Sequence, residues 1–120
     1  MKLTINQEDI KKLKEKYGAS NAVAGYVEEF KLLPLPLPNY YVAVIDDTNL
    51  TLAQMDLKFN EKEVTVIPLN SIESMKISGL FIKKIVIKTN TAVIKLIVRP
   101  LSFGIGDEQK ALLQRFSELV

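Results

Sequence analysis

From Tyr40 to Arg99 the chain runs through a series of short apolar segments, β-branched and aromatic, each closed by a turn signal. The segments are 40–46, 50–59, 63–69, 71–78, 80–89 and 92–99. Asp47-Thr48-Asn49, Asn60-Glu61-Lys62 and Asn90-Thr91 supply turns, Gly79 punctuates, and Pro68 and Pro100 end strands. Side chains alternate between faces along a strand. Leu50 and Leu52 therefore share a face, as do Val64 and Val66, and Ile85 and Ile87, with Lys84, Val86 and Lys88 opposite. In 92–99, Ile94, Leu96 and Val98 oppose Lys95, Ile97 and Arg99.

One more strand is expected before this series and a helix on either side. Residues 22–33 hold Tyr26, Val27, Phe30, Leu32 and Leu33, with Gly25 marking a bend or bulge. Pro34, Pro36 and Pro38 then make an extended connector, since each fixes φ and removes a backbone donor. Residues 107–119 read as a helix, with Asp107 and Glu108 at its positive end and an apolar stripe of Leu112, Leu113, Phe116, Leu119 and Val120. Residues 6–17 read as a second helix, capped by Asn6 and stopped by Gly18, with a thin stripe of Ile10, Leu13 and Tyr17.

The length of 120 residues suits one domain, without linkers or repeats. With no Cys and no His, disulfides, thiolate nucleophiles and the commonest metal ligands and general bases are excluded. No apolar run approaches the roughly 20 residues of a membrane helix, and Met1 to Asp9 has no apolar core of a signal peptide. A cytoplasmic protein is expected.

An extended strand, a loop, six short antiparallel strands and one amphipathic helix resemble the pleckstrin-homology-like (PH-like) superfold. YYVAVIDDTNLTLAQ is similar to the strand–turn–strand hairpin of bacterial PH-like and GRAM-like domains, and VTVIPLNSIESMKIS followed by Gly and KKIVIKT to a strand pair of those families. The resemblance covers 22–119. It implies a mainly β fold, a seven-stranded antiparallel barrel capped by the C-terminal helix. It divides the chain into an N-terminal helical extension, 1–21, packed on a PH-like domain, 22–120. Phosphoinositide-binding PH domains carry a basic motif around the loop joining the first two strands. Here that loop is Pro-Leu-Pro-Leu-Pro-Asn, with Lys31 the one basic residue close by, so a phosphoinositide headgroup is not expected as ligand.

Candidate chemistry is sparse. Asp46-Asp47 and Glu28-Glu29 are adjacent pairs whose members point apart on a strand, and Asp is a common turn former. Ser71, Ser74, Ser78 and Ser102 lack a base. Gly104-Ile105-Gly106 lacks the rest of a phosphate loop and is followed by two acids. Neither enzyme activity nor any cofactor or metal is expected.

Charge is more informative. Between Glu73 and Asp107 there is no acidic residue, yet Lys76, Lys83, Lys84, Lys88, Lys95 and Arg99 fall there. Lys83, Lys84, Lys88, Lys95 and Arg99 are the candidate binding residues. If strands 80–89 and 92–99 pair, Lys84, Lys88, Lys95 and Arg99 form one cationic face. A solvated face of lysines that guards sheet edges against aggregation accounts for the same residues. The functional expectation is a non-catalytic binding or adaptor module that holds a protein partner or associates with itself. The alternative is peripheral binding to an anionic membrane through the basic face. Nucleic acid ranks behind both, because Phe81 and Phe103 offer no clear stacking platform.

Overall fold

A computed structural model describes residues 6–30, 39–56, 60–100 and 104–120. The proline connector, Lys31, Ser102, Phe103 and the ends of the segments read as 22–33 and 50–59 lie outside the described residues. The order is α1 (Gln7–Tyr17), β1 (Val23–Glu29), β2 (Tyr40–Ile45), β3 (Asn49–Met55), β4 (Glu61–Pro68), β5 (Ile72–Ser78), β6 (Lys83–Thr89), β7 (Val93–Val98) and α2 (Gly106–Glu118). All pairings are antiparallel, in the spatial order β4-β3-β2-β1-β7-β6-β5.

The alternation read from the sequence sorts the sheet into two faces. The inner face carries Val27, Ala43, Ile45, Leu50, Leu52, Ile67, Met75, Ile85, Ile87, Leu96 and Val98, and α2 covers it with Leu112 and Phe116. Leu113 and Leu119 pack at the margin of this core, whereas Val120, expected to share the stripe, is 72% exposed. The outer face over β1, β2 and β3 carries Ala24, Val42, Val44 and Met55, and Ile10 and Leu13 of α1 cover it.

The expected barrel is not there: the sheet is open. β4 and β5 are its two edges and do not pair with each other. The chain passes between them through Pro68, which has no N–H to donate, and a 3-10 turn, Leu69–Ser71. Leu69 N–H donates to Thr48 C=O at 2.9 Å and the Ser71 hydroxyl to Pro68 C=O at 2.7 Å, so the turn's polar groups are used locally. α2 consequently lies along the inner face, chiefly against β1, and does not plug the end of a closed barrel.

Two local readings also change, and one holds. Residues 80–89 are not one strand: β6 begins at Lys83, and 79–82 form a loop entered through Gly79 at φ 103°. A side chain there would be strained, and its Cβ would stand 2.1 Å from the Ile82 carbonyl oxygen. Gly25 marks neither bend nor bulge, since β1 pairs with β2 in continuous register through it. It lets α2 approach: an added Cβ would meet Gln109 Oε1 at 2.6 Å and Leu112 Cδ2 at 2.8 Å. Asn6 does cap α1, with Asp9 completing a reciprocal capping box.

Asp46 and Asp47 serve turns, as their residue type suggests. Asp46 Oδ1 accepts from the N–H groups of Thr48 (2.9 Å) and Asn49 (2.8 Å), and Oδ2 accepts from Ala19 N–H at 3.2 Å. Asp47 accepts from Asn21 Nδ2 at 2.6 Å. The hydrogen bonds to Asp46, led by that from Thr48 N–H, hold its carboxyl below the ordinary carboxylate range. A lowered folded-state pKa contributes stability that is present above the unfolded-state value and lost as pH falls through the folded one. Urea midpoints measured from neutrality into acid should therefore fall more steeply for the wild type than for Asp46→Asn, which should be the less stable of the two at neutral pH. Parallel curves would remove this role.

Candidate functional site

The pairing of β5, β6 and β7 decides how the candidate cations lie. Val86 stands opposite Lys76 on β5 and opposite Lys95 on β7. Lys84 and Lys88 sit two residues away on either side along β6, on the same face. Four lysines thus surround Val86 on the outer face. Neighbours across strands are about 5 Å apart at Cβ, and those two along a strand about 7 Å. β6 and β7 contain no acidic residue, and none of the four lysines makes an ion pair among the described residues. Lys76, Lys88 and Lys95 are exposed, and Lys84 is half-buried with its Nζ 3.9 Å from the centroid of the Phe30 ring.

The other two sequence candidates fall outside this quartet. Arg99 lies beyond the end of β7 and its Nε pairs with the Glu28 carboxylate, which partly neutralises it. Lys83 is opposite Val98, whose side chain is in the core, so it starts on the inner side of the sheet. Its Nζ donates to the Gly79 carbonyl at 2.9 Å and braces the loop before β6.

Sequence reading missed Lys76 as a member, because 71–78 looked irregular. Its register beside Val86 follows a shift between Ile72 and Ser74 that no residue type announces. It also missed the loop tip. Leu80, Phe81 and Ile82 are 80%, 75% and 47% exposed, and three apolar residues running into KKIVIKT are indistinguishable from the start of a strand.

The position of the lysines bears on why they are there. Guarding an edge suits Lys76, since β5 is an edge strand. It does not suit Lys84, Lys88 or Lys95, because β6 and β7 are paired on both sides. No two of the four stand directly opposite each other; Lys76 and Lys95 are diagonal neighbours of Lys84 and Lys88, about 7–8 Å apart at Cβ, so their mutual repulsion is modest. The quartet is therefore a feature that edge protection leaves unaccounted for.

Elsewhere the described residues bring together little that could perform chemistry. No group of three or more Asp or Glu side chains converges on a metal-sized site among them. Tyr26 stacks on Tyr40 with ring centroids 6.0 Å apart, and burial, with a smaller contribution from Glu28, pushes its hydroxyl well above the ordinary phenol value. It stays protonated at neutral pH. A cleft of about 350 Å³ lies between α1, β1 and α2, with the Gln7 amide bridging to the Glu108 carboxylate at 3.2 and 3.3 Å. A second, of about 320 Å³, borders Lys95 and is lined by Phe30, Tyr41 and Val93. No helix among the described residues is long and apolar enough to cross a membrane.

No family model matches the chain, and no curated protein matches it in sequence. Among solved structures it is similar to the N-terminal PH domain of the human ARAP2 protein, with a TM-score of 0.51 and 13% identity over 85% of this chain and 82% of that one. It is also similar to the hSac2 domain of the human phosphoinositide phosphatase Sac2, with a TM-score of 0.54 and 12% identity over 97% of this chain and 81% of that one. At such identities the likeness is one of fold: the chain has a PH-like arrangement of seven strands and a C-terminal helix, with the sheet left open.

Proposed function

We propose that this protein is a non-catalytic binding module whose outer β5–β7 face takes an anionic partner. The observation that carries the reading is the set of Lys76, Lys84, Lys88 and Lys95 around Val86, clustered on strands that hold no acid between Lys83 and Val98. An anion laid on this face relieves the mutual repulsion of the lysines and gains from each of them. Arg99, tied to Glu28, and Lys83, on the loop-bracing side, contribute to the field around the face more than to direct contact. The PH-like fold supports a binding role only as analogy, because a fold hosts many functions.

The residue patterns of 40–54 and 64–89 support a finer kinship with bacterial PH-like and GRAM-like domains. With it goes the division into a helical extension, 1–21, and a PH-like domain, 22–120. A cytoplasmic location fits the absence of cysteine from the sequence.

Retention on immobilised heparin, used as a generic polyanion, tests the face. Wild-type protein should bind and elute as salt rises, because exposed charges are screened over about 8–10 Å at ordinary ionic strength. Lys88→Glu/Lys95→Glu should lose most of that retention while its unfolding midpoint changes little. Equal retention of wild type and variant sinks the reading.

In that event a second reading takes over, a protein partner or a second copy added as a strand. The β4 edge, which pairs with no second strand among the described residues, favours it, with Val64 and Val66 38% and 53% exposed.

A further inference from the structure

Leu80, Phe81 and Ile82 project at the β5–β6 loop, and Leu80 and Phe81 keep 80% and 75% of their surface in water. Three consecutive large apolar side chains left in water at one loop tip are costly, and nothing in the described fold covers them. The loop is also built to hold them out. Gly79 adopts φ 103°, and Lys83 Nζ ties back to the Gly79 carbonyl at 2.9 Å.

Along the chain, the charged residues that flank the tip are all of one sign. Lys83 and Lys84 follow it directly and leave the sheet on opposite sides, with Lys83 Nζ held at the Gly79 carbonyl and Lys84 Nζ resting over the Phe30 ring. Ser78, which closes the hairpin against Lys84, is preceded on the same face by Lys76. No acidic residue occurs from Ser74 through Gly106. An apolar point with a cationic collar complements a surface that is anionic outside and hydrocarbon beneath, which describes the interface of an anionic lipid bilayer. An acidic protein surface satisfies the lysines equally well, yet gives three aliphatic and aromatic side chains on a narrow tip no evident place to go.

We propose that the Leu80-Phe81-Ile82 tip inserts into the interfacial region of an anionic membrane while Lys76, Lys83 and Lys84 sit at headgroup level. This rests on the anionic-partner reading of the β5–β7 face and names the partner.

The chain has no tryptophan, so Phe81→Trp places a single reporter in the tip. The probe is vesicles of phosphatidylcholine with phosphatidylserine, set against phosphatidylcholine alone. Wild type and Phe81→Trp should float with the anionic vesicles only. Trp emission should shift to the blue and be quenched by acyl chains brominated near the headgroup. Leu80→Ser/Phe81→Ser/Ile82→Ser should bind the same vesicles at least tenfold more weakly, because each side chain removed forgoes burial of a large apolar group. The single Phe81→Ser, the mildest change to an exposed loop, should show part of that loss at an unaltered unfolding midpoint. If the protein floats but the emission does not move, or the triple variant floats as well as wild type, insertion is overturned and the cationic face stands. If wild type binds heparin but no vesicle, the membrane is overturned and an acidic macromolecule becomes the partner. Failure on heparin as well overturns the reading of the face itself.

Discussion

Gln109→Leu should cost about 3–5 kcal/mol of unfolding free energy, a large part of the stability of a small domain. The side chain is fully buried, yet it is no packing residue. β1 and β7 pair at Glu28 with Ile97 and Glu29 with Leu96, and Phe30 N–H extends the ladder to the Lys95 carbonyl at 3.0 Å; two positions the other way from Glu28, the register would set Tyr26 against Arg99. There the strands separate and the Gln109 amide sits between them. Its Oε1 accepts from Tyr26 N–H at 2.7 Å, and its Nε2 donates to the carbonyls of Tyr26 at 2.8 Å and Arg99 at 3.1 Å. A helix side chain thus completes a gap in the sheet. Leucine has similar bulk but forgoes all three of these hydrogen bonds to buried backbone groups, each loss costing about 1–3 kcal/mol. Gln109→Glu should also destabilise, since a carboxylate accepts from Tyr26 N–H but has nothing to donate to two carbonyls. Urea unfolding followed by far-UV circular dichroism measures both, and amide exchange at Tyr26 locates the damage. A leucine variant as stable as wild type would show that solvent replaces the amide at no cost.

Phe116→Ala should cost a similar amount, about 3–5 kcal/mol, for a different reason. Phe116 is the largest fully buried side chain and shares the inner core with residues from β1 through β7. Because the sheet is open, no pairing between β4 and β5 holds its halves together there. The apolar stripe of α2 is the element that both halves bury against, so a cavity at Phe116 weakens their common contact. The variant should unfold at lower urea, with its greatest loss of exchange protection in the inner-face strands. Phe116→Leu should recover most of the loss by refilling the space. If alanine and leucine behave alike and near wild type, α2 is not what holds the open sheet.

These two positions show where sequence reading reaches and where it stops. Phe116 was legible, because a stripe at helical spacing has one simple destination, the apolar face of the neighbouring sheet. The faces of β3, β6 and β7 were legible for the same kind of reason: alternation depends only on adjacent residues. Gln109 was not. Glutamine on a helix is ordinarily a surface residue, and its use depends on two strands parting at a point that pairing alone defines. Closure of the barrel was misjudged because it depends on the edges β4 and β5, far from each other in the sheet, and not on any one segment. The lysine face was half legible. Lys84, Lys88 and Lys95 followed from alternation, Lys76 needed the register of a bulged strand, and Lys83 belonged with the loop. The Leu80-Phe81-Ile82 tip was hidden because apolar residues beside a strand are read as strand unless their exposure is known.

The unclosed sheet has one further consequence, for assembly. Its two margins, β4 and β5, are different surfaces, so a copy adding margin to unlike margin would leave a fresh margin on each side and could grow without limit. Like-to-like contact at β4 stops at two. The prolyl ring at Pro68, the register shift between Ile72 and Ser74, and the ammonium group of Lys76 interrupt the first kind of growth, and all but Pro68 lie on the β5 side. These features on the β5 border act against fibre growth by edge addition.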